Sequence, residues 1–193
     1  MKLIYLIGKS SSGKDTIFKE LLNLTGYNSY ITYTTRPMRN GEKQGVEYYF
    51  ISDKKMNEYI KEHMVIECRA YKTVYGEWKY ATIDDEQFKS NNNIITIGTL
   101  ESYNKIREFF LGKKDFEIIP VYIEVPDNIR LRRAIEREEK GSGNYDEMCR
   151  RFIADCKDFS DENLKNACIE KRFKNIVLDK CLNEILDYIG FKK

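Results

Sequence analysis

Apolar residues enter this chain in short unbroken runs, and between the runs they recur every third or fourth position. The runs are "LIYLI" (Leu3 to Ile7), "IITI" (Ile94 to Ile97), "IIPVYIEV" (Ile118 to Val125) and "NIVL" (Asn175 to Leu178). An unbroken run has no face left for water, so each predicts a strand buried on both sides, as in a parallel sheet covered by helices. The spaced pattern predicts amphipathic helices over Lys14 to Leu24, Leu100 to Leu111, Asp127 to Lys140, Tyr145 to Phe159 and Lys180 to Ile189. Gly112, Gly141 and Gly190 stand where three of them would stop. Strands alternating with helices predict an α/β fold, three-layered (αβα), with a mostly parallel sheet.

The rhythm breaks from Ser29 to Tyr80. Tyrosine, threonine and glycine crowd "YITYTTRPMRNGEKQGVEYYFIS", which predicts short, hairpin-like strands and a β-rich lobe inserted into the α/β frame. A chain of 193 residues fits one domain. Its expected core covers 1–30 and 82–193, with the lobe over about 31–81.

The first run ends in "GKSSSGKDT", where Gly8, Gly13 and Lys14 satisfy G-x-x-x-x-G-K between a buried strand and a helix. The small residues Ser10, Ser11, Ser12 and Gly13 let successive N–H groups converge on an anion at the positive end of a helix, and Lys14 adds a mobile charge for outer phosphates. The stretch from Gly8 through Asp15 and Thr16 is therefore a candidate ATP phosphate cradle. The residue after the lysine is usually a hydroxyl that reaches Mg²⁺. Here it is Asp15, with Thr16 about 100° further round the helix. Mg²⁺ would be met by the Asp15 carboxylate, by Thr16 through water, or mainly by nucleotide oxygens and waters.

Charge and composition narrow the classes. With 33 basic and 31 acidic residues the net charge is +2, which speaks against a dedicated nucleic-acid binder. The only histidine, His63, sits in "KEHMV", which speaks against Ser-His-Asp chemistry and against a histidine-rich metal site. The five cysteines form no CxxC pair, and the apolar start is too short for a signal peptide or membrane span. These features predict reduced thiols in a cytoplasmic protein with no membrane partner.

Within the irregular stretch, "YTTRPMRNGEKQGVEYYFIS" resembles the GMP-binding segment of guanylate kinases, T-T-R-x-x-R-x-G-E-x-x-G-x-x-Y-x-F. Thr34, Thr35, Arg36, Arg39, Gly41, Glu42, Gly45, Tyr48 and Phe50 all match. "VIECRAYKTVYG" is similar to the family's "FIEW…YYG" stretch and supplies Glu67, Tyr75 and Gly76. The resemblance implies a P-loop nucleoside monophosphate kinase that converts GMP and ATP to GDP and ADP with Mg²⁺. It assigns Arg36, Arg39, Tyr48 and Tyr75 to the GMP phosphate, a role that suits planar guanidiniums gripping a dianion. It assigns Glu67 to guanine N1–H and the 2-amino group, and sets Thr32 where a base-reading serine is common. In "RLRRAIEREEKGSGNYDEMCRRF", Arg133, Arg137 and Arg151 fall near the arginines of the family's lid, here about 133–155. Arg137 and Arg151 would then join Lys14 in neutralising the transferring phosphoryl group.

Two departures stand out. Where the family carries Asp-x-Asp at the end of a core strand, this chain has Thr96 to Gly98, and Glu77 replaces the hydroxyl that follows Tyr-Gly. Two other readings share the same residues: a non-catalytic binding module of this family, and a kinase for a different monophosphate.

Overall fold

The computed structural model describes residues 1–191 except 74, 75, 91, 114 and 142. The chain begins with β1 (Lys2–Ile7), α1 (Lys14–Thr25), β2 (Asn28–Ser29), β3 (Tyr33–Thr34), β4 (Tyr49–Phe50) and α2 (Asp53–Lys61). It continues through β5 (Val65–Thr73), β6 (Gly76–Ile83), β7 (Ile94–Ile97), α3 (Leu100–Phe110) and β8 (Glu117–Glu124). It ends with α4 (Asp127–Lys140), α5 (Tyr145–Asp158), α6 (Asp161–Asn166), β9 (Arg172–Lys174) and α7 (Leu178–Tyr188).

Five strands form one parallel sheet in the order β2-β7-β1-β8-β9, with β1 in the middle. Alternation along β1 explains its unbroken apolar run. Leu3, Tyr5 and Ile7 face Leu100, Tyr103, Ile106 and Phe110 of α3, while Ile4 and Leu6 face Ile17 and Leu21 of α1 and Leu182 and Ile185 of α7. A sheet between two helical layers is the predicted fold class. Burial of each such Leu or Ile contributes about 1.5–3 kcal/mol. Pro120 falls in the half of β8 that lacks a second neighbour, since β9 pairs only from Tyr122 onward.

The irregular stretch folds as a second sheet, β4-β3-β6-β5. One of its faces packs Tyr33, Ala81 and Ile83 on Met56 of α2. Directly opposed residues share a face, so Glu67 lies with Thr82, Arg69 with Tyr80, and Thr34 with Tyr80 on the other side of this sheet. The fold therefore gathers the polar positions of the segment on one surface.

Several boundaries differ from expectation. The run "NIVL" is not a strand: β9 lies just before it, Asn175 to Val177 form a turn, and Leu178 already starts α7, two residues ahead of the predicted Lys180. A short edge strand needs only one inward side chain, Phe173, whereas Ile176 and Val177 are exposed. The stretch expected to hold only hairpins contains α2, whose apolar stripe is short, buried Met56 with Tyr59 partly buried beside it; Ser52 caps it by accepting from the Lys55 N–H. β3 and β4 pair in parallel, not as a hairpin. The short α6 also escaped the periodicity.

Candidate active site

All five core strands point the same way, so their carboxyl ends form one rim where α/β folds bind ligands. The loop after β1 lies on that rim. A Cβ on Gly8 would stand 2.5 Å from the Ile123 carbonyl, and one on Gly13, whose φ is +84°, would run into Asn175 Nδ2. Asn175 Nδ2 donates to the Ser12 carbonyl at 2.8 Å. Ser10 N–H donates to Asp155 Oδ2 at 2.6 Å, and the Ser10 carbonyl accepts from Arg130 Nη1 at 3.0 Å. The loop is thus clamped from α4, α5 and the β9–α7 turn.

Inside this clamp the hydroxyls of Ser11 and Ser12 are buried with no hydrogen-bond partner among the described residues. Unpartnered buried hydroxyls on a helix N-terminus suit phosphate oxygens or a hydrated cation. Lys14 folds its ammonium back onto the carbonyls of Gly8 and Lys9, at 2.7 and 2.9 Å. Burial pushes that ammonium below the ordinary lysine value, opposed by Asp15 and Asp155. Lys14, Asp15 and Thr16 line a cleft of about 400 Å³ together with Arg133, Arg137 and Asn175. Asp15 and Thr16 are both exposed there. No cluster of three acidic, histidine or cysteine residues suited to a metal occurs among the described residues. One or two side-chain oxygens beside nucleotide phosphates is how Mg²⁺ is ordinarily held, so the donors present fit it. A larger hollow, about 470 Å³, opens beside Lys9, but its Arg130 and Arg172 are already paired with Asp127, Asp161 and Glu124.

The polar face of the second sheet carries the other predicted residues. Arg36 is buried and held by both oxygens of Glu42, at 2.7 and 3.0 Å, with the Tyr48 and Phe50 rings 5.5 and 5.4 Å from its guanidinium carbon. The Arg36 bond holds the Glu42 carboxyl below its usual range. Arg39 lends its backbone N–H to the same Glu42, while its side chain is exposed. Burial raises the Tyr48 phenol, as does nearby Tyr80, and the charges of Arg36 and Arg69 oppose the rise. Thr32 is half-buried at the edge of β4, its carbonyl accepting from Tyr49 N–H. Tyr75 lies outside the described residues.

Glu67 is buried rather than open to the cleft. It accepts from Arg69 Nε at 3.1 Å, Thr82 Oγ1 at 3.0 Å and Ser102 Oγ at 2.9 Å. Tyr5 Oη donates to Ser102 at 2.7 Å, and Arg69 Nη1 reaches Thr99 Oγ1 at 3.2 Å. These bonds tie the lobe to α3, and Gly98 N–H donates to the Leu6 carbonyl next to the phosphate loop. The Glu67 end of the lobe therefore abuts the root of the loop after β1. Nothing in composition or spacing marked Tyr5, Arg69, Ser102 or Thr82.

The lid arginines separate. Arg133 and Arg137 line the cleft, and Arg137 also pairs with Glu138 at 3.3 Å. Arg151 is exposed and donates to Glu147 at 2.7 Å, away from the cleft lining. Arg150 binds the same carboxyl, and the two guanidiniums hold Glu147 at about 2. No motif in the sequence marks Arg130 or Asn175. Arg130 shares a buried stripe with Ala134, so its helical position could have flagged it.

A family model described as guanylate kinase matches residues 1–187. A guanylate kinase of Prochlorococcus marinus is 27% identical over 183 residues, covering 91% of this chain and 95% of that protein. One of Clostridium tetani is 31% identical over 138 residues, which span 71% of this chain and 65% of that protein. The crystal structure of guanylate kinase from Anaplasma phagocytophilum shares the fold, with a TM-score of 0.61 at 17% identity over 98% of this chain and 85% of that one.

Proposed function

This chain belongs to the guanylate kinase family, and we propose that the cradle around Lys14 holds ATP while the polar face of the second sheet holds GMP for direct transfer between them. The family reaction is ATP-dependent phosphorylation of GMP to GDP, and the chain is a nucleoside monophosphate kinase of that kind. The observation that carries the residue roles is that Lys14 and Ser11 line a cleft with two arginines, the buried Ser11 hydroxyl there having no hydrogen-bond partner among the described residues.

No protein nucleophile is required. The loop amides and Lys14 position the donor phosphates, and Lys14 exchanges its two loop carbonyls for phosphate oxygens when ATP enters. Arg133 and Arg137 approach the same phosphates from the lid. Asp15 and Thr16 are the side chains placed to hold Mg²⁺ directly or through water. The ion held there would offset the charge of the ATP phosphates. On the acceptor side Arg39 supplies an exposed cation, while Glu42 and two rings hold Arg36 in one orientation. Tyr48 adds a hydroxyl, and Thr32 stands near the base end. Closure of the lobe of about 31–81 and the lid of about 133–155 keeps water from competing as acceptor.

ADP formation measured with ATP, Mg²⁺ and each common nucleoside monophosphate tests this reading. GMP should give the highest kcat/KM. Binding of GMP with no ADP formed would leave a binding module in place of a kinase.

A further inference from the structure

Guanine offers two edges to a protein. Its N1–H and 2-amino group donate, and reading them takes both oxygens of a carboxylate. Its O6 and N7 accept, and a guanidinium fork matches them.

In this chain the carboxylate is already spent. Oε1 of Glu67 accepts from Thr82, Ser102 and, at 3.4 Å, Arg69 Nη2, while Oε2 accepts from Arg69 Nε. Its side chain is 0% exposed. The second carboxylate of the family pattern would stand at Gly98, and that space is filled by Tyr5, whose hydroxyl a Cβ at 98 would overlap. The Tyr5 proton is itself directed to Ser102.

Arg69 presents the opposite chemistry. Of its five N–H donors, Glu67 takes one on Nε and one on Nη2, and Thr99 takes one on Nη1. One donor on each terminal nitrogen has no partner among the described residues. The side chain is 14% exposed, on the face it shares with Tyr80 and Thr34. Glu67 fixes the inner edge of the guanidinium, so the outer edge meets a ligand already oriented.

We propose that Arg69 reads the acceptor base through guanine O6 and N7, and that the 2-amino group goes unread. The inference rests on the kinase reading above. Inosine keeps both acceptors, so IMP becomes a substrate comparable to GMP. Adenine keeps N7 but sets an amino group against a donor, and 7-deazaguanine loses N7.

ADP formation by the unaltered chain, with GMP, IMP, 7-deaza-GMP and AMP at saturating ATP, separates the possibilities. IMP should fall within about fivefold of GMP in kcat/KM, 7-deaza-GMP about tenfold or more below it, and AMP about a hundredfold below. Arg69→Lys keeps the charge and loses the fork, and should narrow the GMP-to-AMP ratio about tenfold or more with the KM for ATP unchanged. Equal rates for 7-deaza-GMP and GMP overturn the inference, as does IMP about a hundredfold below GMP or an unchanged ratio in Arg69→Lys; the kinase reading survives all three. No ADP with any acceptor sinks the kinase reading and takes this one with it.

Discussion

Arg36 and Arg39 stand three residues apart in one loop and meet different surroundings. Arg36 is buried against Glu42 and two rings, so Arg36→Ala should both raise the KM for GMP and cost about 2–3 kcal/mol of stability by leaving Glu42 with only the Arg39 N–H. Arg39 is exposed, and Arg39→Ala should raise the KM for GMP about tenfold or more while the melting temperature stays put. Steady-state kinetics beside thermal melts would distinguish the two, and equal stability losses would refute the division. For Lys14→Met, kcat should fall at least about a hundredfold with the secondary structure intact, read by single-turnover assay and circular dichroism. Gly98→Ala should lower the melting temperature by about 3 °C or more, because a methyl there meets the Tyr5 ring. Combined with Tyr5→Leu, the loss should be smaller than the sum of the two. At this scale the sequence was legible where a motif names its residues, as in Gly13–Lys14 or Arg36. It was silent where function depends on who sits opposite whom. Glu67 reads as a free carboxylate in "VIECRA", and only the strand register and α3 bring Arg69, Thr82 and Ser102 onto it.

Helix α4 and helix α5 grip the loop after β1 through an arginine, a residue type ordinarily found in solvent. Arg130 is fully buried, bonded to Asp127 at 2.8 Å and to the Ser10 carbonyl, with Asp155 at 3.6 Å and the Phe152 ring 4.5 Å from its guanidinium carbon. Arg130→Met should therefore destabilise the protein by about 3 kcal/mol, measured as a lower urea midpoint, because Asp155 loses its cation and Asp127 keeps only Lys9. A change under about 0.5 kcal/mol would mean that the buried network contributes nothing net. Long elements with a clear stripe or a doubly buried run, α4 and β7 among them, were readable almost to the residue. The failures share a cause. α6 and β9 each bury one apolar side chain and α2 adds only partly buried Tyr59 to Met56, too few positions to carry a period.

Across the whole molecule the cysteines sample every depth. Cys149, Cys156 and Cys168 are exposed, Cys68 is half-buried, and Cys181 lies in the α7 layer with its thiol pushed up to about 11 by burial, Glu184 adding to the rise. A thiol reagent at pH 8 should modify three cysteines quickly and Cys68 slowly, and reach Cys181 only as the protein unfolds. Rapid labelling of Cys181 in the native state would contradict the packing of α1 and α7 on the sheet. Among the described residues no helix is long and apolar enough to cross a membrane. The three-layer architecture was legible because strands covered on both faces leave an unmistakable trace. The separation of the second sheet into an apolar and a polar face was not, since its short strands alternate too briefly to show it. The fit of Tyr5 against Gly98 also constrains history. A side chain at position 98 and a tyrosine at position 5 compete for one space in this backbone, so the two orders in which both positions could change differ in cost. Glycine before tyrosine is the cheaper order on the way in, and loss of the tyrosine before a carboxylate the cheaper order on the way back.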